Sequence, residues 1–473
     1  MQRQIKITVI LVILLAFGVT SLAQATPRAT TSLIEISASA SDETSPAAAY
    51  STASNTYLVA YEYDDHVRMR MFDSRGTPLA QTILDFGAGT FWPAVAYNDL
   101  HDLYGLTYIS SFTNYYSVIM CWVSGSTQTV IHCDEIYQGT PGVVLMSPSI
   151  AFNNNDSNDD FMIVWQEGNL GDWSIYGHRT TPTSPYSGVG SRIEIALTTL
   201  TPIKDEAFSA PDVTYNLNMN EYLVVFDYWT NDSSHTTGSD ILGRRIFNNG
   251  SGPASLPYIP IDAGECDQTR PAIATYRLTT NRPYIVIYQD DYISSNTCDT
   301  ETNIGGMYLD NNGNSTLIYF SVSATSQTRE AHPDITASEA LGAYIITWTK
   351  NSGTNLDVFL RHVDPNTGIA DTPQLISGAA ANARGNEDLP VVAGGWPTTL
   401  VAWHEDGWGG GAGDVIGWLE ASAFDQLEGR VFEGPVGDIS QPIAGVQLSL
   451  YCSASSGDPG TQIDTTTTNA SGW

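Results

Sequence analysis

PDVTYNLNMNEYLVVFDYWTNDSSHTTGSDILGRRIFNNG, residues Pro211 to Gly250, holds three short apolar runs: Asp212 to Tyr215, Tyr222 to Phe226 and Ile241 to Phe247. Each is β-branched or aromatic and is bounded by Asn, Gly, Asp or Ser. That is the pattern of strands joined by turns, not of a helix.

The unit recurs along the chain. Its opening, a proline, any residue, an apolar residue and then Ala or Thr, appears at Pro46, Pro93, Pro148, Pro211, Pro271, Pro333 and Pro390. The second run returns as Tyr57 to Tyr61, Tyr104 to Tyr108, Phe161 to Trp165, Tyr222 to Phe226, Tyr284 to Tyr288, Tyr344 to Trp348 and Leu400 to Trp403. A looser third run follows, for example Ile175-Tyr-Gly177, Ile241-Leu-Gly243 and Val415-Ile-Gly417, and often a fourth such as Arg192 to Leu197. Four strands per repeat, at a period of roughly 40 to 60 residues, predict an all-β chain folded as a seven-bladed β-propeller. The seventh repeat lacks a fourth strand of its own. Ser32 to Ser37 resembles Arg192 to Ala196 and precedes the first proline motif, so it is expected to complete the last blade and close the ring. An unpaired apolar edge would otherwise invite aggregation.

The ends of the chain read differently. Arg3 and Lys6, the apolar run Ile7 to Val19 and Ala23-Gln24-Ala25 predict a signal peptide over 1–25. The expected propeller spans 26–424, and no later stretch reads as a membrane span. Nineteen Lys and Arg against 51 Asp and Glu give a net charge of −32, which disfavours nucleic acid and anionic lipid as partners. The five cysteines suit an oxidising compartment, secreted or at the cell surface. Cys121 and Cys133 flank a turn and are expected to bridge, and Cys266 with Cys298 is a second reasonable pair. Cys452 has no partner, and no spacing suggests zinc or redox chemistry.

Long loops are expected after the second strand in blades three, four, five and seven. They would place Trp173, Asp227, Tyr228, Trp229, Asp290, Asp291, Tyr292, Glu405 and Trp408 on one face. Aromatic platforms beside carboxylates suit recognition of a glycan or an extracellular protein. The alternative for Glu62, Glu167, Asp227, Asp290 and Glu405 is that the acid recurs to tie a turn in each blade. GxSxG, HExxH, P-loop and GxGxxG signatures are absent, so no catalytic residue is assigned, and no cofactor or metal is expected. Asp156, Asn158 and Asp160 mimic calcium-loop spacing, but Phe161 stands where a glycine is needed. Paired carboxylates for polysaccharide hydrolysis are compatible with the chain, because their spacing is set by the fold. The expected function is binding or adhesion, with a polysaccharide hydrolase or lyase, or a scaffold, as alternatives.

Two resemblances bear on this. Tyr222-Leu-Val-Val-Phe226 with Asp240-Ile-Leu-Gly-Arg-Arg245 resembles the repeat of secreted bacterial propellers, over about four fifths of the chain. Residues 425–473, with Pro442-Ile-Ala-Gly-Val446, Leu448-Ser-Leu-Tyr451 and Thr465 to Thr468, resemble the opening strands of Cna-B or SdrD-B immunoglobulin-like domains. The second resemblance implies an incomplete β-sandwich stalk that continues past Trp473. It carries no isopeptide assignment, because the segment has no Lys.

Overall fold

The structure, a computed structural model, describes residues 33–421 and 447–467 apart from 40, 80–82, 154–159, 170–171, 185, 199–205, 231–237, 252–257, 265, 277–282, 294–296, 312–314, 324–328, 340, 352–354, 378–385, 396–397, 407–412 and 453–460. Thr30–Ser422 forms one compact unit, and the segment from Ala423 belongs to another.

The first unit is seven blades of four antiparallel strands, blades three and four being joined into one eight-stranded sheet by a single parallel bridge, Trp173 to Ala207. Their first strands are Glu43–Ser51, Thr90–Asn98, Val144–Phe152, Glu206–Asn216, Gln268–Thr275, Glu330–Ser338 and Glu387–Gly394. Each first strand lies beside the next, and the seventh lies beside the first, so the strands ring a central axis. The expected closure is present. Leu33–Ser37 pairs antiparallel with Asp414–Ala421 as the outer strand of blade seven. In the second unit, Gln447–Cys452 pairs with Thr461–Thr467 as a hairpin.

Both faces of every blade are covered, which explains why the second strands are apolar without alternation. Among the described residues, seven apolar clusters fill the seven interfaces between blades. Successive side chains of one strand divide between two interfaces. In blade four, Tyr222, Val224 and Phe226 face blade three, while Leu223 and Val225 face blade five. The glycine in the third strand makes room for the fourth. A Cβ on Gly177 would meet Ile195 Cδ1 at 2.9 Å, and one on Gly417 would meet Ile36 Cδ1 at 2.9 Å.

The proline motif and the aromatic that ends each second strand form one device. In every blade the register jumps across two residues of the first strand, the proline and the residue before it. Both lie opposite that one aromatic: Ser45-Pro46 opposite Tyr61, His332-Pro333 opposite Trp348 and Leu389-Pro390 opposite Trp403. This is a β-bulge. The residue before each proline (Ser45, Trp92, Ser147, Ala210, Arg270, His332 and Leu389) has φ between 45 and 53°. None is glycine, so each blade holds one strained residue at the ring. Proline suits this strand because its inner edge has no ladder partner.

The tyrosine that opens the second strand reaches the preceding blade. Tyr104 Oη donates to the Thr56 carbonyl at 2.5 Å, Tyr344 Oη to the Pro283 carbonyl at 2.9 Å, and Tyr57 Oη to the Thr398 carbonyl. Tyr222 Oη donates to Asp160 Oδ1 at 2.7 Å, and Arg179 pairs with the other oxygen of that carboxylate. Asp160 is thereby occupied by structural partners. Blade three carries Phe161 at this position, so the ring fits without the hydroxyl. Tyr222→Phe is therefore expected to cost about 1.5–3 kcal/mol, the value of a hydrogen bond to a charged group. Urea unfolding of the variant measures this, and an unchanged midpoint would show that the bond contributes nothing.

Cys121 and Cys133 lie directly opposite each other in blade two and are bonded, as expected. Cys266 is also disulfide-bonded. The side chain of its expected partner Cys298, and that of Cys452, lie outside the described residues.

Candidate functional site

The bulges, the ends of the second strands and the connections between blades all emerge at one end of the ring. The sequence places long loops there, and the structure corrects this for three blades. The second strand of blade four runs Glu221–Thr230 and pairs with Ser239–Phe247, so Asp227, Tyr228 and Trp229 lie on a hairpin. Blade five continues to Ile293, carrying Asp290, Asp291 and Tyr292, and Trp173 sits in the third strand of blade three. Extending the hairpin pairs backbone groups that a loop would leave to solvent.

Strand geometry then separates the candidates. Asp227, Asp290 and Glu405 are only 7%, 2% and 3% exposed, so their carboxylates meet protein groups. Asp227 accepts hydrogen bonds from Ser209 Oγ and, at 3.4 Å, from the Arg270 backbone N–H. Asp290 accepts from Gln268 at 3.5 Å. Glu405 is paired in register with both Glu387 and Asp414. Tyr228 is half-buried against Phe208, with ring centroids 5.0 Å apart. Trp229 is 41% exposed, and Asp291 is half-buried. The backbone of Trp173 bridges to Ala207 of blade four. The Tyr292 side chain and Trp408 lie outside the described residues.

The recurring acid occupies two different positions. Glu62 and Asp227 directly follow the aromatic and hold the backbone N–H of the next blade's bulge, Trp92 at 2.7 Å and Arg270 at 3.4 Å. Gln289 does the same for His332 at 3.0 Å. Glu167, Asp290 and Glu405 come one residue later, on the opposite side of the strand. Glu167 binds Arg192 and the Tyr137 hydroxyl.

The bulges bring together residues that were not candidates from sequence. His332 Nδ1 contacts Asp388 Oδ1 across the seam between blades six and seven. Burial works against the charge of Asp388, but the hydrogen bond and charge of His332 outweigh it and hold the carboxyl below its usual range. His332 Nε2 has no partner among the described residues. The tautomer with its proton on Nδ1 therefore leaves an Nε2 lone pair to accept a proton. Arg270, the bulge residue of blade five, is exposed and carries no ion pair among the described residues.

Below this rim, Asp212 and Asp334 directly follow their prolines. Asp212 accepts from Ser149 Oγ at 2.6 Å and from the backbone N–H of Val213 and Ile273 at 2.9 and 2.8 Å. Asp334 accepts from the Val392 N–H at 2.7 Å. Burial pushes both carboxyls up, and Asp334 reaches about 7 because the charge of Asp212 adds to it. At neutrality Asp334 thus holds a proton for part of the time. Aligning the repeats gives the one sequence signal for this pair. The other blades carry Ala47, Ala94, Ser149, Ala272 and Val391 in that column.

Among the described residues, no group of three or more His, Cys, Asp or Glu is arranged to hold a metal ion. The chain is a seven-bladed β-propeller whose ring of bulges sets the His332–Asp388 pair at one end of the ring. No family profile and no curated protein sequence matches it. Solved structures with a similar course include the polysaccharide lyase Uly1, at TM-score 0.48 and 11% identity over 78% of this chain and 88% of that one. An α-L-arabinanase of Penicillium chrysogenum complexed with arabinobiose gives 0.43 and 12%, over 82% and 97%. The Dos1 propeller gives 0.42 and 8%, over 83% and 95%. The likeness is one of strand arrangement; neither substrate nor mechanism passes through it.

Proposed function

We propose that this protein is an extracellular polysaccharide-processing enzyme, a hydrolase or lyase, whose reacting groups sit at the channel mouth. The observation that carries this is the His332–Asp388 pair with Asp334 two residues from His332 on the same strand. Hydrolysis needs one group to activate water and another to protonate the leaving oxygen. Elimination needs one to take a carbon-bound proton and another to return one to the leaving oxygen. His332 Nε2 is the acceptor in either case, and Asp334 is the donor. Asp388 is a positioning residue that fixes the imidazole tautomer. Arg270 offers a cation to a sugar oxygen or carboxylate. The Cys121–Cys133 bridge supports an oxidising compartment. The terminal hairpin supports the immunoglobulin-like stalk.

A binding or adhesion protein is the second reading, supported by exposed Trp229 on the same face. The two separate on turnover of a polysaccharide panel, followed by reducing ends and by the ultraviolet absorbance of unsaturated ends. His332→Ala and Asp388→Asn are expected to lower kcat by about 100-fold or more, the usual worth of a general base. Their unfolding midpoints should stay near that of the parent. Polysaccharide retention without turnover, or full turnover by His332→Ala, would overturn the enzymatic reading.

A further inference from the structure

A groove lies between blades two and three on the same end of the ring. Its outer part is a tight turn in which the Phe112 N–H donates to the Tyr115 carbonyl at 2.8 Å. The two rings stack with centroids 4.9 Å apart and 22° between planes, and Phe112 is 44% exposed. The turn is tied to the connection between blades by the Gly142 N–H on the Asn114 carbonyl at 3.3 Å. This outer pocket, about 700 Å³, shares Gly142 and Val144 with an inner one of about 590 Å³ that reaches Trp173, Asn169 and Met146. Met146 directly precedes Ser147, one of the bulge residues, so the groove's inner end adjoins the channel mouth.

Among the described residues, no Asp, Glu, Lys, Arg or His lines either pocket, although the chain carries 51 acidic residues. An anionic ligand would meet no cation among the described lining residues and would face the −32 charge of the whole. Four aromatics, Phe112, Tyr115, Tyr116 and Trp173, interspersed with Ser, Thr and Asn match an uncharged sugar chain, whose C–H faces stack while its hydroxyls exchange hydrogen bonds with amides and hydroxyls.

We infer that this groove is a binding subsite for a neutral polysaccharide, leading its chain toward the channel mouth. The inference rests on the reading of the protein as one that acts on polysaccharide. The test is electrophoresis of the full chain through gels containing soluble arabinan, arabinoxylan or mixed-linkage glucan, with polygalacturonate as the anionic comparison. The parent is expected to be retarded by at least one neutral polymer and not by polygalacturonate. Phe112→Ala combined with Tyr115→Ala should weaken that retardation about tenfold or more, as should Trp173→Ala. The exposure of Phe112 allows truncation without unfolding, and an unchanged thermal midpoint verifies it. His332→Ala should bind like the parent. Absence of retardation by every neutral polymer, preference for polygalacturonate, or parental binding by both groove variants would overturn the subsite. If groove binding is confirmed while His332→Ala keeps full turnover, the enzymatic reading falls and the subsite stands. If His332→Ala is inactive while both groove variants bind normally, the reverse holds.

Discussion

Ile36→Asp is expected to open the ring and cost more than about 4 kcal/mol, in the range reserved for unpaired buried charge and lost packing. Ile36 is fully buried in the cluster that joins blade seven to blade one, with Tyr57, Leu400 and Val415 around it. It seats against Gly417, where a Cβ would collide with it. The strand it belongs to is the outermost of blade seven and comes from the opposite end of the chain. Its loss therefore removes the outer strand of blade seven and the hydrogen-bonded closure of the ring together. Arg70 adds a tie from blade one, donating to the Ile36 carbonyl at 2.8 Å. Ser37 Oγ donates to the buried Glu43 at 3.1 Å at the same seam. The measurement is thermal unfolding with limited proteolysis, using Glu35→Ala as a control because Glu35 is exposed. The control should behave like the parent. A cooperative, parent-like melt for Ile36→Asp would mean that closure by this strand contributes little to stability.

Stability should fall as pH rises from about 5 to about 8. The cause is a set of carboxyls that the fold keeps protonated. Asp357, Glu387 and Glu405 meet at the seam between blades six and seven, with 6%, 1% and 3% exposure. Burial, then the charges of Asp357 and Glu405, push Glu387 up, and burial also raises Asp357. At the closing seam, burial and Glu43 raise Asp414 to about 6. Asp334 in the channel stands at about 7. An unfolded chain releases these protons near pH 4. Between about 4 and about 7 the folded state therefore binds more protons than the unfolded one, and the slope of stability against pH is negative. The contribution is complete below about 4 and is lost as pH passes the folded values. His362, held between Asp371 and Glu420 at 2.9 and 3.0 Å, rises to about 10. Its contribution has the same sign and is lost above about 6.5. Asp85 and Asp388 are lowered and oppose the trend only in acid, where folding keeps them charged. The unfolding midpoint at pH 5 should exceed that at pH 8 by about 5 °C or more. Glu387→Gln mimics the protonated carboxyl, so it should raise the midpoint at pH 8 and flatten the profile. A flat or rising profile in the parent, or an unchanged slope in Glu387→Gln, would remove this account.

The repeat architecture was readable because a blade is a local object. Its strands are short, its turns carry Asn, Gly and Asp, and the period returns seven times, so pattern alone yields the blades, their number and the Cys121–Cys133 bridge. Even the long-range closure was legible, since Ile34-Glu-Ile36 repeats the spelling of Ile193-Glu-Ile195, whose place in a blade was already known. The site was less legible. Asp227, Asp290 and Glu405 look alike in sequence, yet one residue of offset along a strand puts them on opposite sides. Extended hairpins also turned expected loop residues into alternating buried and exposed positions. Asp212, Arg270, His332 with Asp334, and Asp388 come from four different blades, and only the Asp after the proline leaves a mark in the repeat pattern. Sequence by itself determined a ring of seven sheets and which strand closes it, because hydrophobic period and turn chemistry are written locally. Only the tertiary structure decided which side chains share the channel mouth. Their meeting depends on bulges that re-aim first strands toward a common axis, and on burial that sets which carboxyl keeps its proton.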